Sequence, residues 1–205
     1  MRWHVFILAL GFASTASWSS ASEQNPASSG LVTAVEGNVF KARAGSARPE
    51  LVTLQDDIVV EDVLETQPRS RCKILFQDDT LITIGENSRV VLKHYQYHQS
   101  QEKRSMVVAL ERGTVRALVG RVFPGSDSSF QIRAPSSVVT GQGAYVAVWI
   151  EEDVRGDIGR HLSEAAPGAE IVFPTSKAVG VANIGRSGSL AFTSGGQTTR
   201  IEPGQ

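Results

Sequence analysis

The chain of 205 residues has a single cysteine, Cys72, which rules out an internal disulfide. It has no strong charge of either sign. The formal net charge of −1 at pH 7 gives no electrostatic reason to expect nucleic acid or an anionic membrane surface as a partner. Beyond the N-terminus there is no apolar run near the roughly 20 residues of a spanning helix, so no membrane span is expected in the mature protein. Helical periodicity is nearly absent. Its one candidate is Asp157 to Ala166, ended by Pro167-Gly168, inside the long, weakly patterned segment 151–176. The motifs of common chemistry are also missing: no G-x-S-x-G elbow, no phosphate-binding G-x-x-x-x-G-K-[ST], no H-E-x-x-H and no paired C-x-x-C. The expectation is a protein that is not an enzyme, with no catalytic residue, no metal ligand set and no cofactor.

What is present begins with a segment outside the fold. Arg2, an apolar core from Val5 to Ala13, and Ser19-Ser20-Ala21 follow the order of a secretory signal peptide, with cleavage between Ala21 and Ser22. The apolar core, about nine residues, is too short to span. Residues 1–21 are therefore read as a signal peptide and 22–30 as a polar linker. The mature chain is expected to be soluble, in the periplasm or secreted.

From residue 31 onward apolar residues come in runs of four to eight with period two, rich in Val, Ile and Thr and bounded by Gly, Asn, Asp or Ser. Val35, Val39, Phe130 and Ile132 follow this alternation, as do Tyr145, Ala147 and Trp149. The pattern is that of a single all-β domain, 31–205. Gly37, Gly113 and Gly188 each stand two residues before an apolar residue, after a strand-like run, a loose echo compatible with bulges or corners. Cys72 alternates with Ile74 and Phe76 and reads as a buried small apolar residue. His94 and His98 are four apart, but on a strand that places them about 13 Å apart, too far to share an ion. Tyr95 and Tyr97 fall on the opposite face, as a contact patch or as cover for the core edge. The acidic groups Asp56-Asp57, Glu61-Asp62 and Glu151-Glu152-Asp153 read as solvated strand ends.

Two turns can be argued in detail. If Gln77, Asp78 and Asp79 form a three-residue loop, Ile74 faces Ile82 and Cys72 faces Ile84, which gathers the apolar side chains on one face; a one-residue slip would scatter them. The last loop residue, Asp79, then takes the left-handed position, and both carboxylates are expected in solvent. Gly141, Gln142, Gly143 and Ala144 read as a tight corner before the strand that starts at Tyr145, where backbone freedom matters more than side-chain chemistry.

The ordered set "EDVLETQPRSRCKILFQDDTLITIGENSRVVL", "ALERGTVRALV" and "IRAPSSVVTGQGAYVAV" resembles the FecR domain of bacterial exported proteins, best over 58–150. Asp79 stands where that family usually has Gly, and Gln142 and Ala144 where it usually has Arg and Thr. The resemblance implies a twisted roll of short strands, solenoid-like or a compact sandwich; the segment 151–176, read from its weak patterning as one long loop or short helix, is longer than the family leads one to expect. It also implies a periplasmic contact role. Well-known members span the inner membrane and relay a signal to a sigma factor, but the cytoplasmic segment they use has no counterpart in this sequence. The expected function is a non-enzymatic binding module that contacts an envelope protein or a cell-wall polymer. The alternative is a sensor component acting with a separate membrane signalling protein.

Overall fold

Alternation of β-branched and polar residues resolves into strands throughout a computed structural model, which describes residues 27–43, 46, 48–101, 103–120, 128–151 and 178–205. The cleavage position Ala21–Ser22, most of segment 151–176 and the helix considered at Asp157 to Ala166 lie outside the described residues. The first five strands are β1 (Gly30–Glu36), β2 (Val39–Ala42), β3 (Glu50–Leu51), β4 (Asp57–Ile58) and β5 (Val63–Thr66). Next come β6 (Arg71–Phe76), β7 (Leu81–Ile84), β8 (Arg89–His98), β9 (Lys103–Leu118) and β10 (Ser129–Ala134). The last are β11 (Ser137–Gln142), β12 (Tyr145–Glu151), β13 (Ala178–Asn183), β14 (Ser189–Ser194) and β15 (Gln197–Ile201). Ser29 is already buried and donates its N–H to the Ile58 carbonyl at 2.8 Å, so the fold begins inside the stretch expected to be linker.

The strands form two sheets that share β9. One, the β1 sheet, runs β4-β1-β6-β7-β9-β12-β13. The other, the β2 sheet, runs β3-β2-β5-β8-β9-β10-β11-β14-β15, antiparallel except for the parallel pair of β9 with β10. The first half of β9 pairs with β8 and β10 in the β2 sheet. Its second half, from Gly113, pairs with β7 and β12 in the β1 sheet.

Every described crossing from one sheet to the other carries a residue at positive φ. Gly37 lies between β1 and β2, Gln55 between β3 and β4, and Glu61 between β4 and β5. Arg69 and Asn87 serve β5–β6 and β7–β8, Gly113 bends β9, and Gly143 and Gly188 serve β11–β12 and β13–β14. A left-handed residue swings the chain out of one pleated surface, and that is how a strand leaves its sheet to enter another. All three glycines of the sequence echo are such corners.

Apolar side chains from both sheets meet between them. Cys72, Ile74, Ile82, Ile84, Val115 and Val148 come from the β1 sheet, and Leu64, Met106, Val108, Leu110, Phe130 and Ile132 from the β2 sheet. On β12 the side chains in the core between the sheets are Val146, Val148 and Ile150, and Ala147 is buried on the other face. Tyr145, Ala147 and Trp149, the alternation that stood out in the sequence, have the opposite parity and point outward. The sequence signal there was ambiguous because both faces of β12 are apolar.

Candidate functional site

The β6–β7 hairpin has the register that apolar parity demands: Cys72 lies opposite Ile84 and Ile74 opposite Ile82. Phe76 closes the loop, donating its N–H to the Thr80 carbonyl at 2.9 Å and accepting from Asp79 N–H at 3.1 Å. Asp79 has φ 63° and is exposed. Asp78 departs from expectation. It is not solvated but fully buried, and its Oδ2 accepts from Arg104 Nη1 at 3.0 Å and from the Thr80 hydroxyl at 2.6 Å. Arg104 is itself only 2 % exposed. The Tyr95 hydroxyl lies 3.2 Å from Asp78 N–H, and its ring packs on Phe76 with centroids 5.3 Å apart. The reason is topological: β8 and β9 bring Tyr95 and Arg104 over the loop end of the hairpin, and a buried carboxylate is tolerated when paired and hydrogen-bonded. Burial, reinforced by the Asp78 charge, pushes the Tyr95 hydroxyl up. Gln77 stays exposed and donates from Nε2 to the Ser28 carbonyl.

The corner at 141–144 lies on the other side of the end of β9. Gly141 and Gln142 still belong to β11, Gly143 has φ 59°, and Ala144 is buried. Val119 donates its N–H to Ala144 O at 3.0 Å, while the next residue, Gly120, donates to the Thr80 hydroxyl at 2.9 Å. Corner and turn thus clamp two successive residues of β9's exit, one each. No room exists for a side chain at Gly120: a Cβ there would meet Asp78 O at 2.0 Å.

Asp62 is a second correction among the acidic groups. It is fully buried, accepts Val59 N–H at 3.0 Å and pairs with Arg43 Nε at 3.3 Å. His94 and His98 stand on one extended strand, as the spacing implied, and Tyr95 covers the core edge rather than joining an aromatic patch. Cys72 is completely buried, and burial pushes its thiol up to about 12.

Sequence reasoning missed a basin built by two matching corners. Ser70 accepts the N–H of Asn38, the residue after Gly37, at 2.9 Å. Ser88 accepts the N–H of Thr114, the residue after Gly113, also at 2.9 Å. Each hydroxyl donates to the carbonyl two residues earlier, Pro68 and Glu86. A Cβ on Gly37 or Gly113 would come within 2.4 or 2.2 Å of these hydroxyls, so only glycine admits the approach. Beside the paired corners opens a solvent-facing cavity of about 410 Å³, lined by Arg69, Arg71, Arg116, Glu36, Glu86 and Thr83 among others. Arg71 holds Glu36 with both oxygens at 2.7 Å, and the Glu86 carboxylate accepts Arg69 N–H. The guanidinium groups of Arg69 and Arg116 have no ion-pair partner among the described residues. Such groups offer planar donor arrays suited to carboxylates and phosphates. The arginines could have been singled out from the sequence only by knowing that β6, β7 and β9 are neighbours.

The family model described as FecR protein matches residues 62–157. No curated protein matches the chain significantly. A crystal structure of a protein described as a candidate anti-sigma factor from Parabacteroides distasonis is similar at 16 % identity and a TM-score of 0.43, over 69 % of this chain. The match covers 51 % of that protein, so this chain corresponds to about half its length. Among the described residues no helix is long and apolar enough to cross a membrane.

Proposed function

From the premise that the chain carries a FecR domain over residues 62–157, we propose that it is a non-enzymatic interaction module of the bacterial envelope. It acts as a soluble protein in the periplasm or outside the cell and contacts an envelope protein or a cell-wall polymer. Family membership supports a signalling type of module rather than a catalyst. The N-terminal order of Arg2, apolar core and Ser19-Ser20-Ala21 supports export.

The observation that carries this reading is how the polar chemistry is distributed. Asp78, Arg104, Asp62 and Cys72 are buried and committed to the framework, whereas Arg69 and Arg116 have no ion-pair partner among the described residues and stand beside an open basin. Rigid framework and free surface cations suit recognition, not turnover.

A photoreactive residue in place of Thr83, at the basin, tests it in intact cells, together with sedimentation of the purified protein with peptidoglycan. A discrete crosslinked species or co-sedimentation is expected, with a mature N-terminus at Ser22 by mass spectrometry. Neither crosslink nor co-sedimentation, or an intact Met1 in the membrane fraction, contradicts the reading. The sensor alternative is the special case in which the crosslinked species is a membrane signalling protein.

A further inference from the structure

The outward face of the β1 sheet carries an uninterrupted apolar row at right angles to its strands. Leu31 on β1 lies opposite Leu75 on β6, Leu75 opposite Leu81 on β7, Leu81 opposite Leu118 on β9, and Leu118 opposite Tyr145 on β12. Ile184, whose N–H donates to Tyr145 O at 2.8 Å, continues the line. These are not incidental edge residues: Leu31 is 40 % exposed, Leu75 42 %, Leu118 49 % and Ile184 44 %. Five steps of about 4.8 Å make the row about 24 Å long.

Two residues along the strands lies a second row, Lys73 opposite Thr83 and Thr83 opposite Arg116. Neither Lys73 nor Arg116 has an ion-pair partner among the described residues. Two residues further are the Glu36–Arg71 pair and the arginine basin. Four residues of strand measure about 13 Å, so the patch has a flat footprint of roughly 300 Å². That is well below the roughly 800 Å² per partner of a stable globular interface. A second copy of this chain is therefore poorly matched to it. One polypeptide segment fits: about 16 residues as a helix or about seven as a strand spans the row.

We propose that this face docks a single amphipathic segment of a partner protein, with its apolar side chains on the row Leu31–Leu75–Leu81–Leu118–Tyr145 and carboxylates over Lys73 and Arg116. The proposal rests on the interaction-module reading and chooses between its two partner classes, a protein rather than a glycan. Apolar area supplies the attraction, and the cationic row fixes the sign and register of the segment.

The test uses the mature chain and a labelled peptide of about 18 residues with leucines on one helical face flanked by glutamates. Fluorescence anisotropy should show binding that weakens with salt. Arg116→Glu and Leu118→Thr should each weaken it about tenfold or more, while Thr198→Glu on the other sheet leaves it unchanged. The same peptide with lysines for glutamates should not bind. Absence of binding by the acidic peptide, or binding indifferent to Arg116→Glu and Leu118→Thr, overturns the proposal. So does a dimer in sedimentation that Leu118→Thr dissolves, or binding to phosphatidylglycerol vesicles that Arg116→Glu abolishes, since either puts another occupant on the face. A photoreactive residue at Leu118 and another at Thr198 separate the two readings in cells. Crosslinks from Thr198 alone overturn the docking face and leave the module intact; crosslinks from neither site count against the module itself.

Discussion

The outer faces of the two sheets are built from similar alternations and end differently. On the β2 sheet an outward apolar row, Val63 opposite Val91 and Val91 opposite Ala109, is flanked along the strands by ion pairs. Arg89 holds Glu65 and Glu111 on one side and Lys93 holds Glu61 on the other. Val91 is left 3 % exposed. On the β1 sheet Leu31, Leu75 and Leu118 remain exposed, and the nearest cations, Lys73 and Arg116, pair with nothing described. Long charged side chains seal apolar surface when their stems lie over it and their heads are satisfied by each other. The surface around Val91 is finished within the chain, and the β1 face leaves both its apolar area and its charge to be completed from outside.

The sharpest way to break the comparison is to unfasten the two sheets. Asp78 of the β6–β7 turn is tied to Arg104 of β9 in the buried space where the sheets meet. Asp78→Ala leaves an uncompensated buried guanidinium and should cost about 3–5 kcal/mol in urea melts. Adding Arg104→Met should restore part of that loss. A solvated turn carboxylate, the sequence expectation, would lose well under about 1 kcal/mol.

Alkali probes the same interior. With the folded Cys72 thiol at about 12 against an ordinary 9.0, the folded state keeps the proton that the unfolded chain releases. The contribution to stability is fully present below pH 9 and falls away as pH rises toward 12. Melts across that range should show the slope, and Cys72→Ala should reduce it. In native protein at neutral pH, Cys72 should not react with a thiol reagent until the chain unfolds.

Backbone positions come next. Gly143→Val forces a β-branched residue to φ 59° and should cost more than about 1 kcal/mol, while Gln142→Arg, exposed on the same corner, stays within about 1. Asp79→Val should cost roughly 1–2 kcal/mol, and Asp79→Gly should change stability by less than about 1. Larger loss from Asp79→Gly than from Asp79→Val would mean that the Asp79 side chain, not its φ, matters.

These positions also mark how far the sequence could be read. Parity set the hairpin register, because only one pairing buries Cys72, Ile74, Phe76, Ile82 and Ile84 together. The left-handed position was legible at Asp79, and the tight corner at Gly143, where residue type and position coincide; at Gly37, Gly113 and Gly188 the sequence offered only a loose echo. The burial of Asp78 was not legible, since it depends on Arg104, 26 residues away. One signal was available: Arg104 alternates in phase with Met106, Val108 and Leu110, and a charge on the inward face of a strand asks for a buried partner. The leucine row was illegible for a different reason. Each of its members comes from a separate strand, and only the order β1-β6-β7-β9-β12 aligns them.

The smallest expected effect on folding tests the central contrast most directly. Urea melts of Leu118→Thr and Val91→Thr replace one outward apolar side chain on each sheet. The account predicts that Leu118→Thr stays within about 0.5 kcal/mol of the parent, because that surface is already in water. Val91→Thr should lose roughly 1–2 kcal/mol, because a hydroxyl enters a sealed site. A loss at Leu118 equal to or greater than that at Val91 would show that the bare face is part of the framework, and would contradict the account.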